Sequence, residues 1–210
     1  MSKKNKYFTI ILIAFLIITA GCAARKPVFI IPDFKRPVRI AVLPFENESN
    51  DIEAGELFRT LIYKGMEKKD LILITLEEID ETLLGLGITD GGQLASISQD
   101  ELMKALDVRS LLYGTLKKCN YITAGLYMKK EVLGNVQLYE ENELIWEDEA
   151  SKQEKEFRAN IKKALGEQIQ KRVLEKALKK FIGHPHMGQL KEITKKMLKT
   201  IPDDQEEKNE

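Results

Sequence analysis

The chain has 210 residues with 33 basic and 33 acidic side chains, so its formal net charge is zero and nothing in the balance favours nucleic acid. Its two cysteines, Cys22 and Cys119, rule out a disulfide-dense miniprotein. Its two histidines, His184 and His186, leave residues 1–183 without the usual general base for a serine or cysteine nucleophile, which argues against hydrolase chemistry.

Lys3, Lys4 and Lys6 precede the apolar run 7–20, which leads into Thr19-Ala20-Gly21-Cys22. The run is roughly 14 residues, short of the about 20 that a membrane-spanning helix needs, so residues 1–21 read as an export signal. Thr19-Ala20-Gly21-Cys22 resembles the bacterial lipoprotein lipobox. The resemblance implies cleavage before Cys22 and acylation of that cysteine with palmitate-type chains, a lipid anchor in which each buried methylene contributes about 0.8 kcal/mol. Ala23 after the cysteine resembles the outer-membrane address of Gram-negative lipoproteins. Removal of residues 1–21 takes three lysines, leaving 30 basic against 33 acidic residues, about −3, with Cys119 as the one free thiol.

Residues 22–37, with Pro27, Pro32 and scattered cations, show no helical period and read as a tether. Ile40-Ala41-Val42-Leu43, stopped by Pro44, has the pattern of a strand covered on both faces. Asn47, Ser49, Asn50 and Asp51 supply turn groups, Asn50 and Glu53 have capping-box spacing, and a helix is expected from Ile52. Ala54, Leu57, Phe58, Leu61, Ile62 and Met66 lie on one face of that helix. Leu71–Thr75 reads as a second buried strand, which completes a parallel strand, helix and strand unit. A short helix over 76–84 ends at Gly85 and Gly87, and Ser98 with Glu101 caps another over 101–106.

Ser110–Leu116 reads as a third strand, and residues 121–146 as an antiparallel meander whose last hairpin turns at Asn142. Phe157, Ile161, Leu165, Ile169, Val173, Leu174, Leu178 and Phe181 form an apolar stripe that predicts a helix over 153–182, about 45 Å long. Gly183, Pro185 and Gly188 end it. Leu190–Ile201 has the pattern of a basic amphipathic helix, and 203–210 of a polar tail. The expected fold is α/β: a mixed sheet of about five strands over residues 38–182, packed by helices, with 183–210 as a C-terminal segment.

Arg39-Ile-Ala-Val-Leu-Pro-Phe-Glu-Asn-Glu-Ser49, Leu83-Leu-Gly-Leu-Gly-Ile-Thr-Asp90, Leu111-Leu-Tyr-Gly114 and Glu143-Leu-Ile-Trp146 together resemble a family of small bacterial envelope lipoproteins of unassigned function, the meningococcal surface-antigen lipoprotein type. Related first-strand signatures occur in the TolB amino-terminal domain and in the curli secretion lipoprotein CsgG. The resemblance covers roughly residues 38–180. It implies a TolB-N-like α/β sandwich and brings no catalytic residues.

Among groups that can carry chemistry, His184 and His186 are a metal-capable pair, but no acid or thiol is near in sequence to complete a site, so they read as a polar helix terminator with no metal. Gly85-Leu-Gly87-Ile-Thr-Asp90 approaches a dinucleotide fingerprint but follows a helix and reads as a helix stop. Cys119 beside Lys117 and Lys118 is open to two readings, a thiol of lowered pKa or a small residue at a strand end. Glu46 and Glu48 can pair as acid and base, yet a loop after a central strand is polar anyway. That loop, Glu46, Asn47, Glu48, Ser49 and Asn50, lies at the carboxyl edge of the sheet and is the candidate binding loop. Leu190, Ile193, Met197, Leu198 and Ile201 beside Lys191, Lys195, Lys196 and Lys199 form a stripe that can meet anionic lipid, a partner or the domain itself.

The sequence therefore reads as a non-enzymatic, lipid-anchored envelope lipoprotein facing the periplasm, with no cofactor. Its expected partners are the membrane, through the lipid on Cys22, and an envelope protein such as a CsgG-like lipoprotein. The alternative reading is a binding module for peptidoglycan or a small envelope ligand, built on the loops Glu46–Asn50 and Gly85–Gly92.

Overall fold

Ile40, Ala41, Val42 and Leu43 are all 0% exposed, which is what an unbroken apolar run requires of a strand flanked by two layers. In the computed structural model, which describes residues 25–69, 71–124, 127–157 and 183–202, that run forms β2 (Ile40–Val42). β2 pairs in parallel with β4 (Ser110–Ala124), Ile40 opposite Ser110. β5 (Tyr127–Glu140) and β6 (Glu143–Phe157) continue the sheet antiparallel, and β1 (Phe29–Ile30) closes it against β6. The order is β1-β6-β5-β4-β2, with the short β3 (Glu46–Asn47) also parallel to β4, making six strands among the described residues. The β5–β6 turn holds Glu141 and Asn142 at positive φ, the demand of a two-residue hairpin loop that Asn meets well.

Alternation along the strands sorts their side chains into two cores. One face carries Ile40, Val42, Leu112, Leu116, Cys119, Val132, Val136, Leu138 and Trp146. It is covered by α1 (Ala54–Glu67) and by α4 (Met187–Leu198), which docks Leu190, Ile193, Met197 and Leu198 beside Phe58. The other face carries Ala41, Leu43 and Leu111 under α2 (Leu76–Gly85), α3 (Gln99–Leu106) and a 3-10 turn, Gly91–Ser96. Across β5 and β6 that second face turns polar, with Asn135 and Gln137 both donating to Glu147 and Lys117 paired to Glu149.

Polar staples join the layers. Arg59 on α1 is buried, donates twice to the Val42 carbonyl at 3.0 and 2.9 Å, and reaches Asp80 on α2 at 2.7 Å. Asp148 on β6 is fully buried and accepts from Thr200 at 2.8 Å and from Arg25 at 2.7 Å. Thr200 in turn accepts from the Trp146 indole at 3.2 Å, so both the segment after α4 and the first described residue are tied to β6. Removing either partner of such a buried charge-assisted bond leaves the other unsatisfied, at a cost of about 1–3 kcal/mol.

Several elements differ from the sequence pattern. Residues 29–30, inside the expected tether, form the edge strand β1. The buried strand expected at 71–75 is reduced to one parallel bridge, Leu73 to Ile40, with Ile72 exposed, although its order after α1 is as expected. The Asn50–Glu53 capping box does not form: Glu53 is the N-cap of α1 and makes no side-chain cap bond. Residues 153–157, the start of the expected long helix, extend β6 instead, because pairing with β5 as far as Tyr127 opposite Phe157 satisfies their backbone groups; 158–182 lie outside the described residues. The helix stop is as expected: Gly87 has φ +79 and Ile88 N–H bonds back to the Leu83 carbonyl.

Candidate functional site

A β-bulge on β4 aims one side chain where simple alternation would not. The register with β5 shifts between Leu116 and Lys118, so two exposed lysines, Lys117 and Lys118, separate the buried Leu116 from the buried Cys119. Without the extra residue Lys118 would face the core and Cys119 the solvent. Cys119 instead enters the core under the segment that leads into α1.

That segment is preshaped by its own side chains. Asn47 Oδ1 accepts from the Ser49 N–H at 3.1 Å and from the Ser49 hydroxyl at 2.7 Å, while Asn47 Nδ2 donates to the Asp51 carbonyl at 2.8 Å. The turn presents the Asp51 carboxylate to Cys119, whose Sγ donates to Oδ2 at 3.9 Å. Burial, and then the Asp51 charge, push the Cys119 thiol up to about 12, so it stays protonated and is a poor nucleophile.

The third component comes from the turn that opens α4. Pro185 biases His184 toward extended backbone, and His186 is the N-cap of α4, its carbonyl accepting from Leu190 N–H. His184 Nδ1 accepts from the His186 N–H at 3.2 Å, so the neutral ring carries its proton on Nε2, which faces Asp51 Oδ2 at 3.2 Å. His186 is 1% exposed, its ring lies edge-on to Tyr121 at 6.3 Å, and its Nδ1 has no hydrogen-bond partner among the described residues. Desolvation lowers its pKa against the opposing pull of Asp51, which favours a neutral imidazole. A donor atom from each of Asp51, Cys119 and His186 lies within 4.8 Å of the other two. Thiol, imidazole and carboxylate together are the donor types of borderline-soft divalent metals.

The cluster lines an open groove of about 800 Å³ walled by Asn50, Asp51, Ile52 and Glu53, by 119–122 of β4 and by 184–186. Ile52, Tyr121 and Ile122 are exposed apolar residues on these walls. A second groove of about 500 Å³ lies at the other end of β4 between Val38, Arg39, Lys104, Asp107, Arg109 and Glu141.

Of the candidate binding loop, Asn50 reaches the larger groove; Asn47 and Ser49 build the Asp51 turn, and Glu46 and Glu48 are not among its walls. The loop at Gly91 does abut Glu46: a Cβ at Gly91 would sit 2.4 Å from the Phe45 carbonyl carbon and from the Glu46 nitrogen. Cys119 lies within β4 and is not a strand-end residue, and His-Pro-His opens a helix. Asp51 was legible only as a turn residue; its neighbours across the sheet were not. The available signal was Leu116-Lys-Lys-Cys119, where two successive cations break a strand's alternation. Cys22 lies outside the described residues.

No protein-family model matches the chain, and no curated protein matches it. Among solved structures, lipoprotein GNA1162 from Neisseria meningitidis is similar, with a TM-score of 0.52 and 18% identity over 61% of this chain and 90% of that one. A PelC dodecamer from Paraburkholderia phytofirmans aligns with a TM-score of 0.48 and 12% identity over 80% and 92%. The LpoB C-terminal domain from Salmonella enterica aligns at 0.40 and 15% over 59% and 87%. The likeness to GNA1162 is one of fold, and the two scores below 0.5 add nothing to it.

Proposed function

We propose that this protein is a lipid-anchored envelope lipoprotein, held at the periplasmic face of the outer membrane by an acylated Cys22, that acts as a non-enzymatic interaction or assembly component of an envelope or secretion complex. The observation that carries the reading is the fold shared with a bacterial lipoprotein, GNA1162, in a chain whose residues 19–22 have the lipobox pattern. Two physical facts support it. The apolar run 7–20 is shorter than the about 20 residues a membrane-spanning helix needs, so a lipid on Cys22 would supply the attachment. The one thiol among the described residues is buried and kept protonated, which suits packing better than nucleophilic catalysis. A CsgG-like lipoprotein is the kind of partner this reading expects.

Metabolic fatty-acid labelling with membrane fractionation, followed by whole-cell crosslinking, tests it. Cys22→Ala should abolish labelling and release the protein from membranes, and the wild type should crosslink reproducibly to one envelope protein. Persistent labelling of the variant overturns the anchor, and repeated recovery of no partner overturns the assembly role.

One observation favours a second reading, a binding module for peptidoglycan or a small envelope ligand. The loops around Glu46 and Gly91 meet at the carboxyl edge of β2, where α/β folds bind ligands. Flat titrations against soluble cell-wall fragments would eliminate it.

A further inference from the structure

We propose that Asp51, Cys119 and His186 form a binding site for one zinc-type divalent transition metal, with His184 as the positioning residue that holds the Asp51 carboxylate in place. The three donors come from segments far apart in sequence, the turn before α1, the bulged stretch of β4 and the opening of α4, and the fold brings them within 4.8 Å of one another. Tetrahedral zinc, with bonds of about 2.0–2.3 Å, separates its ligand atoms by roughly 3.3–3.8 Å. Cys119 Sγ and Asp51 Oδ2, at 3.9 Å, are already near that spacing.

A structural packing role leaves the His186 ring unexplained. An imidazole at 1% exposure whose Nδ1 has no partner among the described residues is a buried polar group without compensation. A metal bound by one of its nitrogens would give this ring a polar partner. It would also resolve the contact between Asp51 and a protonated thiol: once Cys119 gives its proton to solvent, thiolate and carboxylate carry two negative charges that a dication neutralises. The sulfur, nitrogen and oxygen set selects zinc-like ions over magnesium or calcium, which take oxygen alone. His184 Nε2 at 3.2 Å from Asp51 supplies the outer hydrogen bond that fixes a ligating carboxylate.

Three protein donors leave a fourth position, and this one opens on the groove of about 800 Å³, where water or a donor from a partner can complete the shell. Binding would cross-link α4 to β4 and to the lead-in of α1, so the dock of the C-terminal helix would tighten with metal. This site is independent of the lipid anchor on Cys22.

Cobalt(II) titration of the chelator-treated full chain in detergent micelles, under reducing conditions, tests the assignment. One cobalt per chain should bind with a thiolate-to-metal charge-transfer absorption, and zinc should displace it and raise the thermal midpoint. Cys119→Ser should lose the absorption and His186→Gln should weaken binding at least about tenfold. His184→Asn should keep the absorption and weaken binding about 10–100-fold, and Cys22→Ala should behave as wild type. No absorption from folded wild type with excess cobalt overturns the site, as does absorption that persists in Cys119→Ser or affinity unchanged in His186→Gln. Should Cys119→Ser fail to fold by circular dichroism, the wild-type titration and His186→Gln decide on their own.

Discussion

The two ends of β4 carry two grooves that differ in where their polar groups sit. At the first end Arg39 pairs with Asp107 at 3.0 Å and with Glu78 at 3.6 Å, and Arg109 pairs with Glu141, yet the Asp107 side chain is 95% exposed and Arg39 is 40% exposed. Water competes for each of these pairs, so each is worth at most about 1 kcal/mol. At the far end there are fewer charges, but Cys119 and His186 are buried and the His184 side chain is 5% exposed beside a carboxylate, and one imidazole nitrogen has no partner among the described residues. Charge density marks the first groove and a close cluster of three different donor types marks the second. Among the described residues, only the second brings thiol, imidazole and carboxylate donors together.

The contrast breaks most visibly under a new charge. Cys119→Glu would place a second carboxylate against Asp51 in the core, and a loss of about 3–5 kcal/mol is expected from urea unfolding of the metal-free protein. A loss under about 1 kcal/mol would show that this end is as wet as the other.

The pH dependence of stability is the next largest effect. The folded pKa of His186 is lowered by desolvation, with Asp51 opposing and His184 and Lys130 adding to the depression. A depressed base contributes stability that is present above its ordinary 6.5 and lost as pH falls below it. The Cys119 thiol is raised from 9.0 to about 12, so its contribution is complete below 9.0 and declines as pH rises toward 12. Denaturant midpoints of metal-free protein should therefore plateau between these limits. His186→Gln should flatten the acid limb and Cys119→Ala should reduce the alkaline one, where Tyr113, also pushed up to about 12, remains. An acid limb unchanged by His186→Gln would place the titration elsewhere.

The smallest effect belongs to the exposed end. Arg39→Ala should shift stability by no more than about 0.5 kcal/mol and less at high salt. A larger, salt-insensitive loss in thermal melts would show that this groove is tighter than its exposure implies.

Local patterns were readable where one element's own residues decide its state. The run 40–43, the apolar face of α1, the Gly87 stop, the Ser98 capping box and the Asn142 turn each act within a few residues, and each forms as its pattern requires. Reading failed where pairing decides. Residues 153–157 look helical by spacing but continue β6, because a neighbouring strand is available to bond them. Residues 29–30 look like linker but join the sheet edge, where Ile31 N–H also reaches the Ile145 carbonyl at 3.1 Å. The candidate loop Glu46–Asn50 follows β2, and its Asn47 and Ser49 shape the turn that carries Asp51.

The sequence by itself determined the buried run 40–43, the helices at 54–67, 76–85 and 99–106, and the apolar stripe that docks α4, because these depend on composition and on periods of two and 3.6 residues. Tertiary structure alone decided that Asp51, Cys119 and His186 share one site. Their separations of 68 and 67 residues carry no local signal, and it takes a bulge in β4 and the packing of α4 onto the sheet to turn three scattered side chains into neighbours.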